Sequence, residues 1–150
     1  MTIEAPLSKY KKQNLIIIIV LLIGGGAWFA YDGYKSPKFQ EKHTVDGKPD
    51  ATLTFHRKAP PYLVGAGLVV GIFFLVIKGY KITVDDTALN LRNKTIALDS
   101  IQKIDKTHFD KKGYFIITYE QDGQSQELKL SDRTYDNMPA VLDHIVAKIS

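Results

Sequence analysis

Two uninterrupted apolar runs, residues 15–30 and 62–77, constrain the fold of this chain more than any other feature of its sequence. Neither run contains a charged side chain, and each is sixteen residues long, which corresponds to about 24 Å of helix. The hydrocarbon core of a bilayer is about 30 Å thick, so we expect slightly longer membrane helices over residues 14–31 and 60–78. Pro60 and Pro61 would then lie in the first turn of the second helix, where proline is tolerated.

The alternative interpretation, two buried helices of a soluble core, is weak. Both runs are apolar on every face, and a chain of 150 residues has little other protein to cover them.

The charge distribution supports membrane insertion and argues against nucleic-acid binding, and the absence of cysteine excludes sites that need a thiolate. Residues 1–79 carry ten Lys/Arg and five Asp/Glu, whereas residues 80–150 carry ten and eleven. The basic excess therefore flanks the apolar runs, as is typical of membrane proteins, and a nucleic-acid-binding protein would instead concentrate it on the folded domain. The chain has no cysteine, which excludes disulfides and Cys-ligated zinc or iron–sulfur centres.

The orientation in the membrane depends on three lysines within residues 9–12, directly before the first apolar run. This cluster favours a cytoplasmic N-terminus under the positive-inside rule. We therefore expect a cytoplasmic tail over residues 1–13, an extracytoplasmic loop over residues 32–59 and a cytoplasmic domain over residues 80–150.

Small residues form a strip on each predicted membrane helix. Glycines let two helix backbones approach closely, so that dispersion holds the helices together in lipid. The first interpretation is packing between the two helices of one chain, and the second is a homodimer face. Helix packing is assigned to six glycines: Gly24, Gly25, Gly26, Gly65, Gly67 and Gly71.

The polar segment between the runs carries one turn signal, Asp46-Gly47. Residues 51–55 are typical of a short extended stretch, and residues 38–45 would pair with it across that turn. Because isolated two-stranded hairpins are only marginally stable, we expect a partly ordered loop or extensions of the helices. His43 and His56 have no third ligand nearby, so we interpret them as solvated loop histidines and predict no metal site.

From residue 80 onwards the hydrophobic period changes to two, which is typical of strands with one buried face. Residues 138–149 then follow a helical period, with Asp136 or Asn137 as the N-cap and Pro139 in the first turn. The predicted fold is a small α+β domain, an antiparallel sheet or barrel of six or seven strands closed by a C-terminal amphipathic helix. Six short antiparallel strands are predicted at 82–84, 89–91, 96–98, 101–109, 114–119 and 128–130.

Two segments of this domain resemble bacterial PH-like (pleckstrin-homology-like) domains. Residues 82–92 and 96–105 are similar to the opening hairpin and paired isoleucines of that family, and residues 131–139 are similar to the loop before its closing helix. The resemblance covers residues 80–150. It implies a multi-pass protein of a bacterial inner (cytoplasmic) membrane with a cytoplasmic PH-like domain, and none of the matching motifs is catalytic.

The same resemblance argues against phosphoinositide binding at the turn formed by residues 85–87. Eukaryotic PH domains that bind phosphoinositides carry a basic cluster between their first two strands. The corresponding turn here is Asp85-Asp86-Thr87, whose charge would repel a phosphate.

No catalytic, cofactor-binding or metal-binding motif is recognisable, so the sequence predicts a protein that is not an enzyme and needs no cofactor. We expect a membrane-anchored scaffold that presents its small domain to protein partners. The alternative is an accessory subunit of a larger membrane complex, with its main contacts through the two helices. A membrane enzyme or transporter would require the helices to oligomerise. Contact with the membrane surface is predicted for four lysines: Lys78, Lys81, Lys111 and Lys112.

Overall fold

The computed structural model describes all 150 residues, which form two compact units. A helical unit comprises Gln13–Val76, and a sheet unit combines Met1–Lys12 with Ile77–Ser150. In chain order the elements are β1 (Ile3–Pro6), α1 (Lys9–Tyr34), α2 (Pro37–Lys42), β2 (Thr44–Val45), β3 (Lys48–Pro49), α3 (Ala51–Ile77), β4 (Lys81–Val84), β5 (Ala88–Leu91), β6 (Lys94–Ala97), β7 (Ile101–Asp105), α4 (Phe109–Lys112), β8 (Tyr114–Gln121), β9 (Gln124–Ser131) and α5 (Met138–Ile149).

The helices α1 and α3 are long and apolar enough to span a membrane. Only 6% of the most apolar stretch of α1 and 17% of that of α3 is buried, which argues against the core helices of a soluble protein. At about 1.5 Å per residue each helix is about 40 Å long, so both exceed the predicted spans. Because α3 begins at Ala51, the extended stretch predicted at residues 51–55 is wrong, and Pro60 and Pro61 lie well inside the helix.

Local capping orders the segment between α1 and α3. The Ser36 hydroxyl accepts the N–H of Phe39 at the start of α2, and Asp50 accepts the N–H of Leu53 at 2.8 Å at the start of α3. The predicted Asp46-Gly47 turn is present, with φ values of 53° and 76° that suit a type I′ hairpin turn. It joins β2 to β3 in place of the longer strands predicted.

Seven strands of the sheet unit form two antiparallel sheets, in the orders β1-β4-β5-β6 and β7-β8-β9. The six strands predicted after residue 80 are present, although the strand predicted at 101–109 ends at Asp105 and is followed by α4. The seventh strand, β1, lies in the segment predicted as a tail, residues 1–13. It pairs with β4 from Ile3 opposite Val84 to Pro6 opposite Lys81.

The core of the sheet unit lies between the two sheets and α5. In β8 the alternation predicted from the sequence is observed, since Phe115, Ile117 and Tyr119 are buried. The apolar stripe of α5 covers the same core through four buried residues: Met138, Val141, Leu142 and Ile145. Ile149, which was predicted in that stripe, is 38% exposed.

The start of α5 differs from the predicted cap. Pro139 lies in the first turn as expected, but the Asn137 side chain makes no capping hydrogen bond. Asn137 adopts a left-handed conformation, with φ of 62°, and its side-chain amide donates to the Glu4 carbonyl of β1 at 3.1 Å. The residue therefore ties α5 to β1.

Candidate functional site

The chain leaves the sheet unit and returns to it at adjacent points. The Leu7 N–H donates to the Tyr80 carbonyl at 2.9 Å, and the Ser8 N–H donates to the Thr134 carbonyl at 2.9 Å. The Ser8 hydroxyl donates to the Arg133 carbonyl, and both Leu7 and Ser8 are buried. Both ends of the apolar insertion are thus fixed at one edge of the sheet unit.

Glycines form the contact between α1 and α3 within the helical unit. A Cβ atom at Gly26 would lie 2.8 Å from the Val64 side chain, and one at Gly67 would lie 2.7 Å from the Ile23 side chain. Gly33, which the sequence analysis did not single out, lies against the backbone of α3. The other four predicted packing glycines have nothing within 4 Å of an added Cβ atom, so they make no such close contact: Gly24, Gly25, Gly65 and Gly71.

The two prolines inside α3 explain its close contact with the end of α1. Because proline has no N–H, the carbonyls of His56 and Arg57, four residues earlier, lose their helical donors. The Tyr34 hydroxyl donates to the Arg57 carbonyl at 3.1 Å, and the His56 carbonyl faces Gly33. Arg57 Nε in turn donates to the Gly33 carbonyl at 2.8 Å, which pairs one of the free carbonyls at the end of α1.

The two loop histidines belong to an aromatic cluster and are not solvated as predicted. Phe39 lies between them, with its ring centroid 4.4 Å from that of His43 and 4.5 Å from that of His56. Each histidine also faces a carboxylate, since His43 Nδ1 is 2.9 Å from Asp50 Oδ2 and His56 Nδ1 is 3.6 Å from Asp32 Oδ2. This cluster connects α2 to the ends of both long helices.

Four basic side chains line a cavity of about 260 Å³ on the sheet unit, which we term the basic cavity. Lys111 and Lys112 come from α4, Lys129 from β9, and Arg133 from the loop after β9. Lys129 Nζ lies 3.9 Å from the centroid of the Tyr114 ring, a cation–π contact that holds its ammonium group at the cavity. None of these four cations takes part in an ion pair of the protein.

A glycine holds α4 beside this cavity. Gly113 ends the helix in the left-handed conformation, with φ of 71°, and its N–H donates to the Phe109 carbonyl at 2.9 Å. A Cβ atom at Gly113 would overlap the Asp132 carboxylate. Any other residue would therefore be strained by its backbone conformation and by this neighbour.

Sequence reasoning selected the two lysines of α4 and missed Lys129 and Arg133. The signal that could have found Lys129 is the Asp122-Gly123 pair between the strands predicted at 114–119 and 128–130, since such a pair is typical of a two-residue hairpin turn. Counting outwards from that turn places Tyr114 opposite Ser131, as observed. Lys129, two residues before Ser131, is then the diagonal neighbour of Tyr114 on the same face of the sheet.

The other two lysines predicted at the membrane surface do not line the basic cavity. Lys81 Nζ pairs with Glu4 Oε1 at 2.7 Å, which links β4 to β1. Lys78 is exposed, between the end of α3 and the start of β4. The four predicted lysines are therefore not one cluster.

A second cavity, of about 460 Å³, lies between α5 and the turn that joins β4 to β5. We term it the α5 cavity. Asp86 faces it and pairs with Lys148 Nζ at 3.0 Å and with His144 Nε2 at 3.5 Å. The Lys148 ammonium group holds the pKa of the Asp86 carboxyl below its ordinary value. Ile101 and the half-exposed Ile149 supply apolar surface to the same cavity.

No group of three or more His, Asp or Glu side chains is positioned to hold a metal ion. Comparison with known proteins finds no match to a family model, a curated protein or a solved structure. The features of the molecule that bear on function are the paired entry and exit points, the contact between the helices, and the two cavities of the sheet unit.

Proposed function

We propose that this protein is a membrane-anchored, PH-like interaction module that presents its sheet unit to a protein partner at the cytoplasmic face of a bacterial inner membrane. The observation that carries the proposal is the antiparallel pairing of β1 with β4. These strands flank the two apolar helices in the sequence. A chain that leaves and re-enters a folded unit at one edge crosses a bilayer an even number of times, which supports a helical hairpin with both termini on one side.

The arrangement of the sheet unit supports the PH-like part of the proposal. Four strands form one sheet, three form the other, and a C-terminal helix covers the core. Six or seven antiparallel strands closed by a C-terminal helix are what the resemblance over residues 80–150 implies. β1 adds a strand beside the opening hairpin that the resemblance assigns to residues 82–92, and in the sequence the helical unit lies between β1 and that hairpin.

The cytoplasmic orientation is supported by the three lysines within residues 9–12. The test combines carbonate extraction with reporters fused in turn to each terminus. We expect the chain to stay in the membrane pellet, and we expect both reporters to indicate the cytoplasm. Release into the carbonate supernatant would refute the anchor, and reporters on opposite sides would refute the hairpin.

The α5 cavity is the surface that best fits a protein partner. Its lining combines apolar side chains with the paired charges of Asp86 and Lys148, and protein interfaces likewise combine apolar and polar surface. A photo-crosslinking amino acid at Ile149 in the full-length chain should give a discrete protein adduct in cells, whereas one at Gln124, an exposed position of β9 outside the cavity, should not. Equal labelling from both positions would contradict a partner at the α5 cavity.

A second candidate function is an accessory subunit that binds a membrane complex through its helices. It is favoured by an apolar groove of about 340 Å³ along α1 and α3, lined by Ile19, Ile23, Gly71 and Leu75. Gly24, Gly25, Gly65 and Gly71 remain open to a further helix or to a second copy of the chain. Co-purification with the full-length chain and with residues 9–79 alone separates the two functions, because only a helix-bound complex would be retained by the shorter chain.

A further inference from the structure

The basic cavity concentrates positive charge in a part of the chain that is nearly neutral. Residues 80–150 carry ten Lys/Arg and eleven Asp/Glu, yet four cations line this one depression. Elsewhere in the sheet unit Lys81 and Lys148 each have a carboxylate within 3.0 Å. None of the four cations of the basic cavity forms an ion pair, although the Asp132 carboxylate lies nearby against Gly113.

The cavity is shaped to receive a small anion. Two lysines of α4 line it together with Lys129 of β9 and Arg133 of the following loop. The ammonium group of Lys129 is held over the Tyr114 ring, and an arginine offers paired N–H groups that match phosphate geometry. At about 260 Å³ the volume lies below the range of roughly 300–1,000 Å³ for drug-sized ligands, which suits a phosphate group with a short substituent.

The position of the cavity selects the source of that anion. Arg133 accepts a hydrogen bond at its carbonyl from Ser8, the residue directly before α1. From Ser8 the helix reaches the first residue of the apolar run, Leu15, within about 10 Å. Under the proposed anchorage this short connection tethers the sheet unit at the membrane surface, where anionic lipid headgroups attract basic side chains.

We propose that the basic cavity binds the phosphate-bearing headgroup of an anionic lipid in the membrane that anchors the chain. The inference rests on the proposed membrane anchorage and adds a specific lipid site to it. The site lies between α4 and β9, away from the acidic turn at residues 85–87. It adds Lys129, Arg133 and Tyr114 to the two lysines of α4, whereas Lys81 is already paired with Glu4.

The test measures tryptic cleavage after Lys111 and Lys112 in the full-length chain, reconstituted in nanodiscs of phosphatidylcholine with or without phosphatidylglycerol. An occupied cavity should slow cleavage at these two exposed residues. The test variant is Lys129→Gln/Arg133→Gln, which leaves both cleavage sites intact. The control variant is Lys103→Gln/Lys106→Gln, which removes two exposed charges from positions that do not line the cavity.

We expect phosphatidylglycerol to slow cleavage of the wild-type and control chains. The factor by which it slows cleavage should be roughly thirtyfold smaller in the test variant, since each cation near an anionic surface contributes roughly fivefold to lipid affinity. Equal protection of test and control variants would overturn the proposal. Inorganic phosphate added to phosphatidylcholine nanodiscs should not protect; protection equal to that by phosphatidylglycerol would refute the lipid as the source. Failure of the chain to enter nanodiscs would instead refute the membrane anchorage itself.

Discussion

The most informative perturbation is Leu7→Ala, because it tests whether the segment before the first helix is part of the sheet unit. Leu7 is only 2% exposed, forms a β-bridge with Tyr135, and donates its N–H to Tyr80. A free tail would contain no such residue. The matched control is Glu4→Ala in β1, since Glu4 is exposed and its only ion pair is the surface pair with Lys81.

The magnitude follows from burial. Truncation of a buried leucine to alanine typically costs about 2–5 kcal/mol, whereas loss of a surface ion pair costs less than about 1 kcal/mol. The sheet unit consists of Met1–Lys12 and Ile77–Ser150, and a domain of that size has a free energy of unfolding of roughly 4–13 kcal/mol. Leu7→Ala therefore removes a large fraction of the stability of the sheet unit, and Glu4→Ala removes little.

Hydrogen exchange of full-length protein in detergent, followed on peptides that cover β8, measures this difference. Amides in β8 are far from Leu7 in the sequence, and the buried side chains of β8 share one core with Ala5 of β1, so these amides report opening of the whole sheet unit. We expect Leu7→Ala to accelerate their exchange by roughly thirtyfold or more, and Glu4→Ala to change it by less than about fivefold. Equal exchange in Leu7→Ala and wild type would show that the segment before α1 is not part of the cooperative unit.

Three further predictions follow from the same contacts. Joining residues 1–8 to residues 80–150 with a short Gly/Ser linker should give a soluble, folded domain by circular dichroism, because the linked ends are already adjacent; aggregation of this protein would contradict the two-unit division. Gly67→Leu should destabilise the contact between α1 and α3 by about 1–3 kcal/mol through overpacking. Gly71→Leu should not, because an added Cβ atom at Gly71 meets nothing within 4 Å. Thermal unfolding of both variants in detergent measures the difference. The Leu53 N–H and the His43 ring hold the pKa of Asp50 below its ordinary value of 3.8. The stability from this cap is therefore present above pH 3.8 and is lost as the pH falls through the lower folded-state pKa. The stability difference between wild type and Asp50→Ala should vanish in acid, and a difference that persisted there would refute the role of Asp50 as a charged cap.

Local patterns were sufficient to predict most elements of this protein. The apolar runs located both long helices, and alternating apolar residues located the six strands after residue 80. The extents of the helices were predicted less well. α3 begins at Ala51 because Asp50 caps it. Of the two carbonyls that its prolines leave free, that of Arg57 accepts a hydrogen bond from the Tyr34 hydroxyl of α1. That compensation comes from another helix and has no signal in the sequence of α3.

The same distinction applies to the candidate sites. The two lysines of α4 stand out in the sequence, but their association with Lys129 and Arg133 depends on the register of the β8–β9 hairpin. Of the predicted packing glycines, Gly26 and Gly67 lie at the contact between the helices and the other four do not. Small-residue strips indicate that a close contact is feasible, but the rotation of each helix determines which members of the strip take part.

The sequence by itself determined which segments are helical, which are extended and which are apolar enough for a bilayer, because hydrophobic period and capping depend on neighbouring residues. Only the tertiary structure decided that β1 completes the first sheet. Its four residues, Ile3–Pro6, contain a proline and carry no strand signal of their own. They form a strand, with Ala5 buried, only because β4 supplies partners from the far side of the helical insertion. The free energy of such a pairing belongs to both strands together, so neither strand reveals it when its sequence is considered alone.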